Sequence, residues 1–524
     1  MIDERAEGPN SKNPVAAVRV VRSNVSDPRF RRCKPDWASK GRANNQRKSP
    51  LGNESVNEGR VIPGRGRITS RQQLSVSGAD GTDSDPERMV MYACTSTIGS
   101  VLVLFAALAP TTRAGREPPA EPVECPRLAA LLRAVEAKEA GAVDRFCQEL
   151  KGKAPLIEPI PGEDGEFRVT YVWQEEEGTS RVVLFGGMPR GGAKELSRLG
   201  DTPIWYLTER LPKGARYSYS FYAKKGGPAA GKLKPDPWAA RVYADGSAVE
   251  LPGAKPQPWS ERIARVPQGK LEAFKVKSDQ LKMDRAVTVY TPPGYDPKGE
   301  PVGLVIVFDG ESSGGDLKGF NPIPGPVILD NLIAKKRIDP VVAVFVDSGA
   351  TRDRDLGCYP PFAEFMAREL IPWVRSHFRV TDEPSKTLVS GFSRGGLGAA
   401  YCAWRHPELF GNVLAQSGAF WWHPDADPDR ELSPEKRQIA ALGRESGWLT
   451  RQFATSPSSR VRFYLEAGQF ETSEGGGIRT ETRRLRDVLE ARGYRVTYSE
   501  HPGGHDFVVW RGTFADGLLA LIGK

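Results

Sequence analysis

Two short stretches built wholly of apolar residues constrain this chain most: Leu-Val-Ile-Val-Phe at 304–308 and Val-Val-Ala-Val-Phe-Val at 341–346. A strand wetted on one face alternates apolar with polar residues. A β-branched run without alternation is expected of a strand covered on both faces, as in a parallel sheet between layers of helices. The surrounding pattern agrees. Residues 361–378 have the spacing of an amphipathic helix, 386–390 of a strand, 397–404 of a helix, 413–416 and 461–467 of strands, 480–492 of a helix and 494–500 of a strand. Strands alternating with helices predict an α/β domain over 259–524.

Upstream the rhythm changes, as a chain of 524 residues, too long for one core, leads one to expect. Residues 126–151 are rich in Ala, Leu and Glu with helical periodicity, and Ala140-Gly141-Ala142 marks a turn, so 115–155 reads as a linker and helical hairpin. Short alternating runs at 167–174, 181–185, 204–207 and 217–222 predict a β-sandwich over 156–258, which the Pro/Gly/Lys-rich passage 226–258 closes and links onward. Residues 1–88 lack sustained apolar periodicity and are expected to be disordered. The apolar run 98–109 ends at Thr112-Arg113-Ala114 and is short for a membrane span, so 89–114 reads as a signal peptide starting at Met89 or Met91, with 1–88 an over-extension. That reading predicts a periplasmic or secreted protein without stable membrane insertion after cleavage. The alternatives are a tethered N-terminus or a cytoplasmic chain.

The net charge of +9 is concentrated at the start, where residues 1–88 carry 17 Lys/Arg against 11 Asp/Glu. The nearly neutral remainder offers no footprint for nucleic acid. Beyond residue 114 the cysteines are Cys125, Cys147, Cys358 and Cys402, and an exported chain could bridge the first two. No Cys/His spacing suggests a metal site, and no cofactor is expected.

Two segments have glycine, serine and glycine at alternate positions: Gly391-Phe-Ser393-Arg-Gly395 and Gly310-Glu-Ser312-Ser-Gly314. In a nucleophile elbow the glycines permit a tight strand-to-helix turn that lifts the serine hydroxyl above a sheet edge. Residues 397–404 can form the required helix and 315–322 cannot, so Ser393 is the candidate nucleophile and Ser312 is not. The chain order serine, acid, histidine then asks for a base near the C-terminus. His505, between Gly503-Gly504 and Asp506-Phe507, lies on a loop after the last strand, whereas His501 is expected to end that strand at the surface. His377, His406 and His423 precede any plausible acid and read as structural. For the acid, Glu471 lies four residues past the strand 461–467, with Glu474 and Glu466 as rivals. Two backbone donors for an oxyanion are expected at Arg394, after the nucleophile, and at Glu311, just past the buried strand 304–308.

These residues resemble the enterochelin (ferric enterobactin) esterase family, within the esterase D-like α/β-hydrolases. The resemblance rests on Phe308-Asp-Gly-Glu311, Gly391-Phe-Ser-Arg-Gly-Gly396, Gln416-Ser-Gly418 with Trp421-Trp422, Leu465-Glu-Ala-Gly468 with Glu471, and Gly503-Gly-His-Asp506 with Trp510-Arg-Gly512. Upstream, Val169-Thr-Tyr-Val-Trp173, Phe221-Tyr222 and Asp236-Pro237 are similar to that family's N-terminal immunoglobulin-like domain. The resemblance implies an α/β-hydrolase domain preceded by an immunoglobulin-like β-sandwich. It also implies hydrolysis of the trilactone esters of a catecholate siderophore, releasing iron, with Ser393, His505 and Glu471 as serine, histidine and acid. Two departures stand out. Phe470 replaces an arginine ahead of the acid, and Asp355-Leu-Gly-Cys358-Tyr359 replaces Glu-Leu-Pro-Cys-Asn, although Arg352 keeps the arginine upstream of that motif.

The rival reading is a serine esterase for acetylated or feruloylated polysaccharide, since fold analogy does not choose a substrate. A non-catalytic binder would not need all of Ser393, Glu471 and His505, and an acyltransferase would differ only in the acceptor. Trp421 and Trp422 follow the strand 413–416 and are candidates either for an aromatic wall against a catechol or for packing. Arg352 is a candidate for contact with an anionic ligand or a surface cation.

Overall fold

The computed structural model of the protein describes residues 124–187, 193–225, 233–243, 246–314, 322–424, 447–472 and 477–524. The segments read as disordered leader (1–88) and signal peptide (89–114), and the rival acid Glu474, lie outside the described residues. No helix among the described residues is long and apolar enough to cross a membrane.

Helices α1 (Pro126–Glu136) and α2 (Ala142–Leu150) form the expected hairpin, turning through Gly141 at φ 69°. Cys125 and Cys147 are both buried there as free thiols, in a cluster with Leu128, Leu131 and Trp238.

Ten strands follow: β1 (Leu156–Ile160), β2 (Glu163–Gln174), β3 (Thr179–Gly186), β4 (Ala193–Glu195), β5 (Ser197–Arg198), β6 (Ile204–Pro212), β7 (Arg216–Lys225), β8 (Leu233–Lys234), β9 (Val242–Tyr243) and β10 (Gly246–Glu250). They make two antiparallel sheets, β1-β2-β6-β5 and β4-β3-β7-β10-β9, with β8 on β7. Alternation places one face of each in a shared core, with Val169, Tyr171 and Trp173 meeting Leu184, Tyr217, Tyr219 and Phe221. The passage 226–258 does more than link, because β10 lies inside it and pairs with β7 from Ser247↔Tyr219 to Glu250↔Arg216.

The C-terminal part contributes β11 (Lys270–Ser278), β12 (Met283–Thr291), β13 (Gly303–Phe308), β14 (Val341–Val346), β15 (Thr387–Phe392), β16 (Asn412–Gln416), β17 (Arg462–Gly468) and β18 (Arg495–His501). With them come α3 (Gly325–Ala334), α4 (Arg352–Asp355), α5 (Pro360–Phe365), α6 (Ile371–His377), α7 (Arg394–Arg405), α8 (Trp448–Thr455), α9 (Ile478–Ala491) and α10 (Phe507–Ile522). The eight strands form one sheet in the order β11-β12-β14-β13-β15-β16-β17-β18. β11 and β12 are antiparallel to each other and β12 to β14, and every later pairing is parallel. The apolar strands now have their reason. Leu304, Ile306 and Phe308 point into one core with Leu397 of α7 and Leu485 of α9, while Val305 and Val307 point into another with Leu329 of α3 and Phe514 and Leu518 of α10. The sheet is therefore an α/β-hydrolase sheet covered on both faces. The carboxyl ends of its parallel strands send their loops to one edge, where binding residues of open α/β sheets gather.

Candidate active site

The β15 strand is buried from end to end and breaks directly into α7 through Ser393, at φ 55° and ψ −122°. Few side chains hold that backbone conformation, and it persists only where the surroundings enforce it. They do so here: the Ser393 N–H donates to Gln416 O at 2.8 Å, and a Cβ on Gly391 would lie 2.5 Å from the Gly395 carbonyl carbon. The result is an elbow with a half-buried serine at the start of a 12-residue helix. Ser312 has no such geometry, being buried in a 3-10 turn, Gly310–Ser312, with its N–H bonded to Asp309 O.

Glu471 and His505 meet at the same edge, beyond β17 and β18. The His505 Nδ1 and Glu471 Oε1 are 2.6 Å apart, and Oε2 accepts the Gly468 N–H at 2.6 Å. The Glu471 side chain is only 4% exposed. With Glu471 ionised, Nδ1 carries the proton and donates it, which leaves the Nε2 lone pair as an acceptor. One aromatic wall runs from His505 to the residue before Ser393. Phe392, next to Ser393, stacks on Trp510 at 4.6 Å, and the Trp510 ring meets His505 edge-on at 4.7 Å. The Trp510 indole N–H is fixed by Ser417 Oγ at 2.9 Å.

The rival acid Glu466 points elsewhere. It is 0% exposed, and the nearest histidine is His501, whose Nε2 lies 3.7 Å away. Burial, with the Glu471 charge second, pushes the Glu466 carboxyl well up, and burial pushes His501 down to about 4. Burial thus disfavours the charged form of both, and the 3.7 Å approach is not read as an ion pair. His501 ends β18 as expected but is half-buried rather than a surface residue. His377 stacks on Trp373, and His406 faces Glu364 and Glu408.

The two expected oxyanion donors are placed by neighbouring strands. Arg394 opens α7, and Glu311 lies in the turn after β13, which pairs with β15. The Glu311 carboxylate accepts Ser348 N–H at 3.1 Å and Gly349 N–H at 3.4 Å, holding the loop after β14 against the turn. The Arg394 side chain turns away to Asp353 O.

Two residues expected as candidate substrate contacts have partners within the protein. Arg352 grips Asp309 with two bonds of 2.7 Å, and its guanidinium lies over Phe392 at 5.9 Å. It ties the loop after β14 to the oxyanion turn, where Ser348 Oγ also bonds Asp309 at 2.6 Å. Trp422 is 4% exposed and packs edge-on against Trp448, so it belongs to the core, while Trp421 is half-buried. Sequence reasoning placed Asp506 beside His505 but missed its bond to Ser218 across 288 residues, because no local pattern encodes a contact of that span. Among the described residues, no group of three or more His, Cys, Asp and Glu stands ready to hold a metal ion.

Comparison with known proteins finds similarity to esterases over most of the chain. Residues 278–521 match the family described as "Putative esterase". The iron(III) enterobactin esterase of Dickeya dadantii is 27% identical over 414 residues, covering 70% of this chain and 90% of that protein. The iron(III) salmochelin esterase of Escherichia coli is 28% identical over 396 residues, covering 70% and 91%. The crystal structure of the Shigella flexneri enterobactin esterase in the presence of enterobactin superposes with a TM-score of 0.56 at 25% identity, covering 73% of this chain and 98% of that one.

Proposed function

The chain belongs to the enterochelin (ferric enterobactin) esterase family, and from that premise we propose that it opens the lactone esters of a catecholate siderophore through Ser393. It is a carboxylic-ester hydrolase, and its relatives over most of its length act on iron(III) enterobactin and salmochelin. The observation that carries the mechanism is the 2.6 Å pair of His505 and Glu471 at the sheet edge where the strained Ser393 ends β15.

His505 Nε2 takes the Ser393 proton as Oγ attacks a lactone carbonyl, and Glu471 orients the imidazolium that forms. The negative oxygen of the tetrahedral intermediate is held by the N–H groups of Arg394 and Glu311. Collapse breaks the ring C–O bond, and His505 returns its proton to the leaving alkoxide, leaving a linear acyl-enzyme. Water, deprotonated by His505, attacks the acyl carbon, the bond to Ser393 Oγ breaks as His505 gives that oxygen its proton, and the acid leaves. The iron is cargo of the substrate. We place Trp421 against a catechol ring, read the two-sheet module as immunoglobulin-like, and read 89–114 as a signal peptide that makes the mature protein periplasmic or secreted.

Chromatography of ferric enterobactin digests tests the chemistry. Wild-type enzyme should release linear products and Ser393→Ala none, and a Ser393→Ala enzyme keeping more than about a thousandth of wild-type kcat would contradict it. For export, N-terminal sequencing of protein from its native host should give a start near Ala114; a start at Met1 overturns that reading.

A further inference from the structure

Loops that carry catalytic groups need something to hold them still. The base loop of this protein is fastened to a different part of the chain. Asp506, immediately after His505, is 4% exposed. Its Oδ1 accepts the Val508 N–H at 2.8 Å and caps α10. Capping needs no more than that. Yet Oδ2 reaches into the upstream β-module and accepts two more bonds from Ser218 on β7, from the backbone N–H at 2.6 Å and from Oγ at 2.7 Å.

The neighbouring residues of β7 do related work. The Arg216 N–H donates to Pro502 O at 3.0 Å, fixing the base loop three residues before His505. Tyr217 meets Phe470, the residue before Glu471, ring to ring at 6.3 Å, and Phe470 packs against the module's core. Base and acid are thus held by three consecutive residues of one strand. The backbones interlock too, since a Cβ on Gly504 would lie 2.2 Å from Gly187 O and one on Gly187 would lie 2.6 Å from Asp506 Oδ2.

We propose that Asp506, anchored by Ser218, is a positioning residue for His505, so that the β-module completes the hydrolytic site rather than only preceding it. The proposal rests on the assignment of His505 as base and Ser393 as nucleophile. Burying a carboxylate is costly unless it is bonded, so the clasp forms as a unit and fixes the histidine backbone beside it.

The test uses the full chain with p-nitrophenyl acetate, alongside the labelling rate of Ser393 by a fluorophosphonate and thermal unfolding. Asn at 506 can still cap Val508 but turns an NH2 group toward the two Ser218 donors. Because a misplacement of about 1 Å can cost about a hundredfold in rate, Asp506→Asn should lower kcat and the labelling rate about ten- to a hundredfold with KM nearly unchanged. Ser218→Ala, which keeps the backbone bond, should lose less, and Ser218→Thr should recover most of that loss by restoring a hydroxyl. Wild-type kcat in folded Asp506→Asn, or equal behaviour of Ser218→Ala and Ser218→Thr, overturns the proposal. Ser393→Ala and His505→Ala are measured in parallel. Activity retained by those two would refute the triad itself, a failure distinct from that of the clasp.

Discussion

Ser393 holds a backbone conformation that most residues avoid, and its neighbours explain how: Gly391 leaves no room for a side chain against the Gly395 backbone, and Gln416 binds the Ser393 N–H. This much was legible in the sequence, because an elbow has a local signature of glycine spacing followed by a helix-forming stretch. The acid was less so. Its place past the strand favoured Glu471 but left Glu466 and Glu474 as rivals, and it is the fold that brings Glu471 to His505 and leaves Glu466 beside His501 instead. The substrate contacts were hardest to read. Arg352 and Trp422 are types that bind ligands well, but both meet partners from remote segments, Asp309 and Trp448. The pairing of Glu471 with His505 predicts a graded response. His505→Ala should approach the loss seen for Ser393→Ala, and Glu471→Gln should be milder, since members of one catalytic unit are unequal and non-additive. A larger loss of kcat for Glu474→Gln than for Glu471→Gln would reassign the acid.

Elements were recognisable where burial was uniform. β13 and β14 are apolar because both faces are covered, so their sequences admit little else. β11 was not recognised, since its sequence, Lys-Leu-Glu-Ala-Phe-Lys-Val-Lys-Ser, belongs to an edge strand whose charged residues face water. β10 was hidden in a passage dominated by Pro, Gly and Lys. The β17 and β18 pair gives an element-scale prediction. Burial disfavours the charged form of both Glu466 on β17 and His501 on β18. The folded pKa of Glu466 is raised, so the stability tied to its proton is present at low pH and is lost as pH rises through the ordinary carboxylate range toward the raised value. His501 is lowered to about 4, so its contribution is lost as pH falls from about 6.5 toward that value. Glu466→Gln removes the first loss. Its melting temperature should exceed that of wild type by a margin that grows as pH rises above the ordinary carboxylate range. A margin that is constant or shrinks over that rise would mean Glu466 is not buried as a neutral acid.

At the scale of the whole molecule, the β-module and the hydrolase sheet share the chemistry. Residues 216–218 hold the loop of His505 and the residue before Glu471, and the sheet carries Ser393, Arg394 and the turn at Glu311. The number and type of layers were readable from periodicity, but their joint was not, because it depends on single bonds between residues hundreds of positions apart. What unites the scales is the claim that this site is a serine esterase shaped for a catecholate lactone. The most direct test compares kcat/KM for ferric enterobactin, iron-free enterobactin, p-nitrophenyl acetate and methyl ferulate, with Ser393→Ala as control. The siderophore account predicts that at least one form of enterobactin is turned over with a kcat/KM well above that for methyl ferulate, and that Ser393→Ala abolishes turnover of every substrate. A kcat/KM for methyl ferulate well above that for both forms of enterobactin would contradict it.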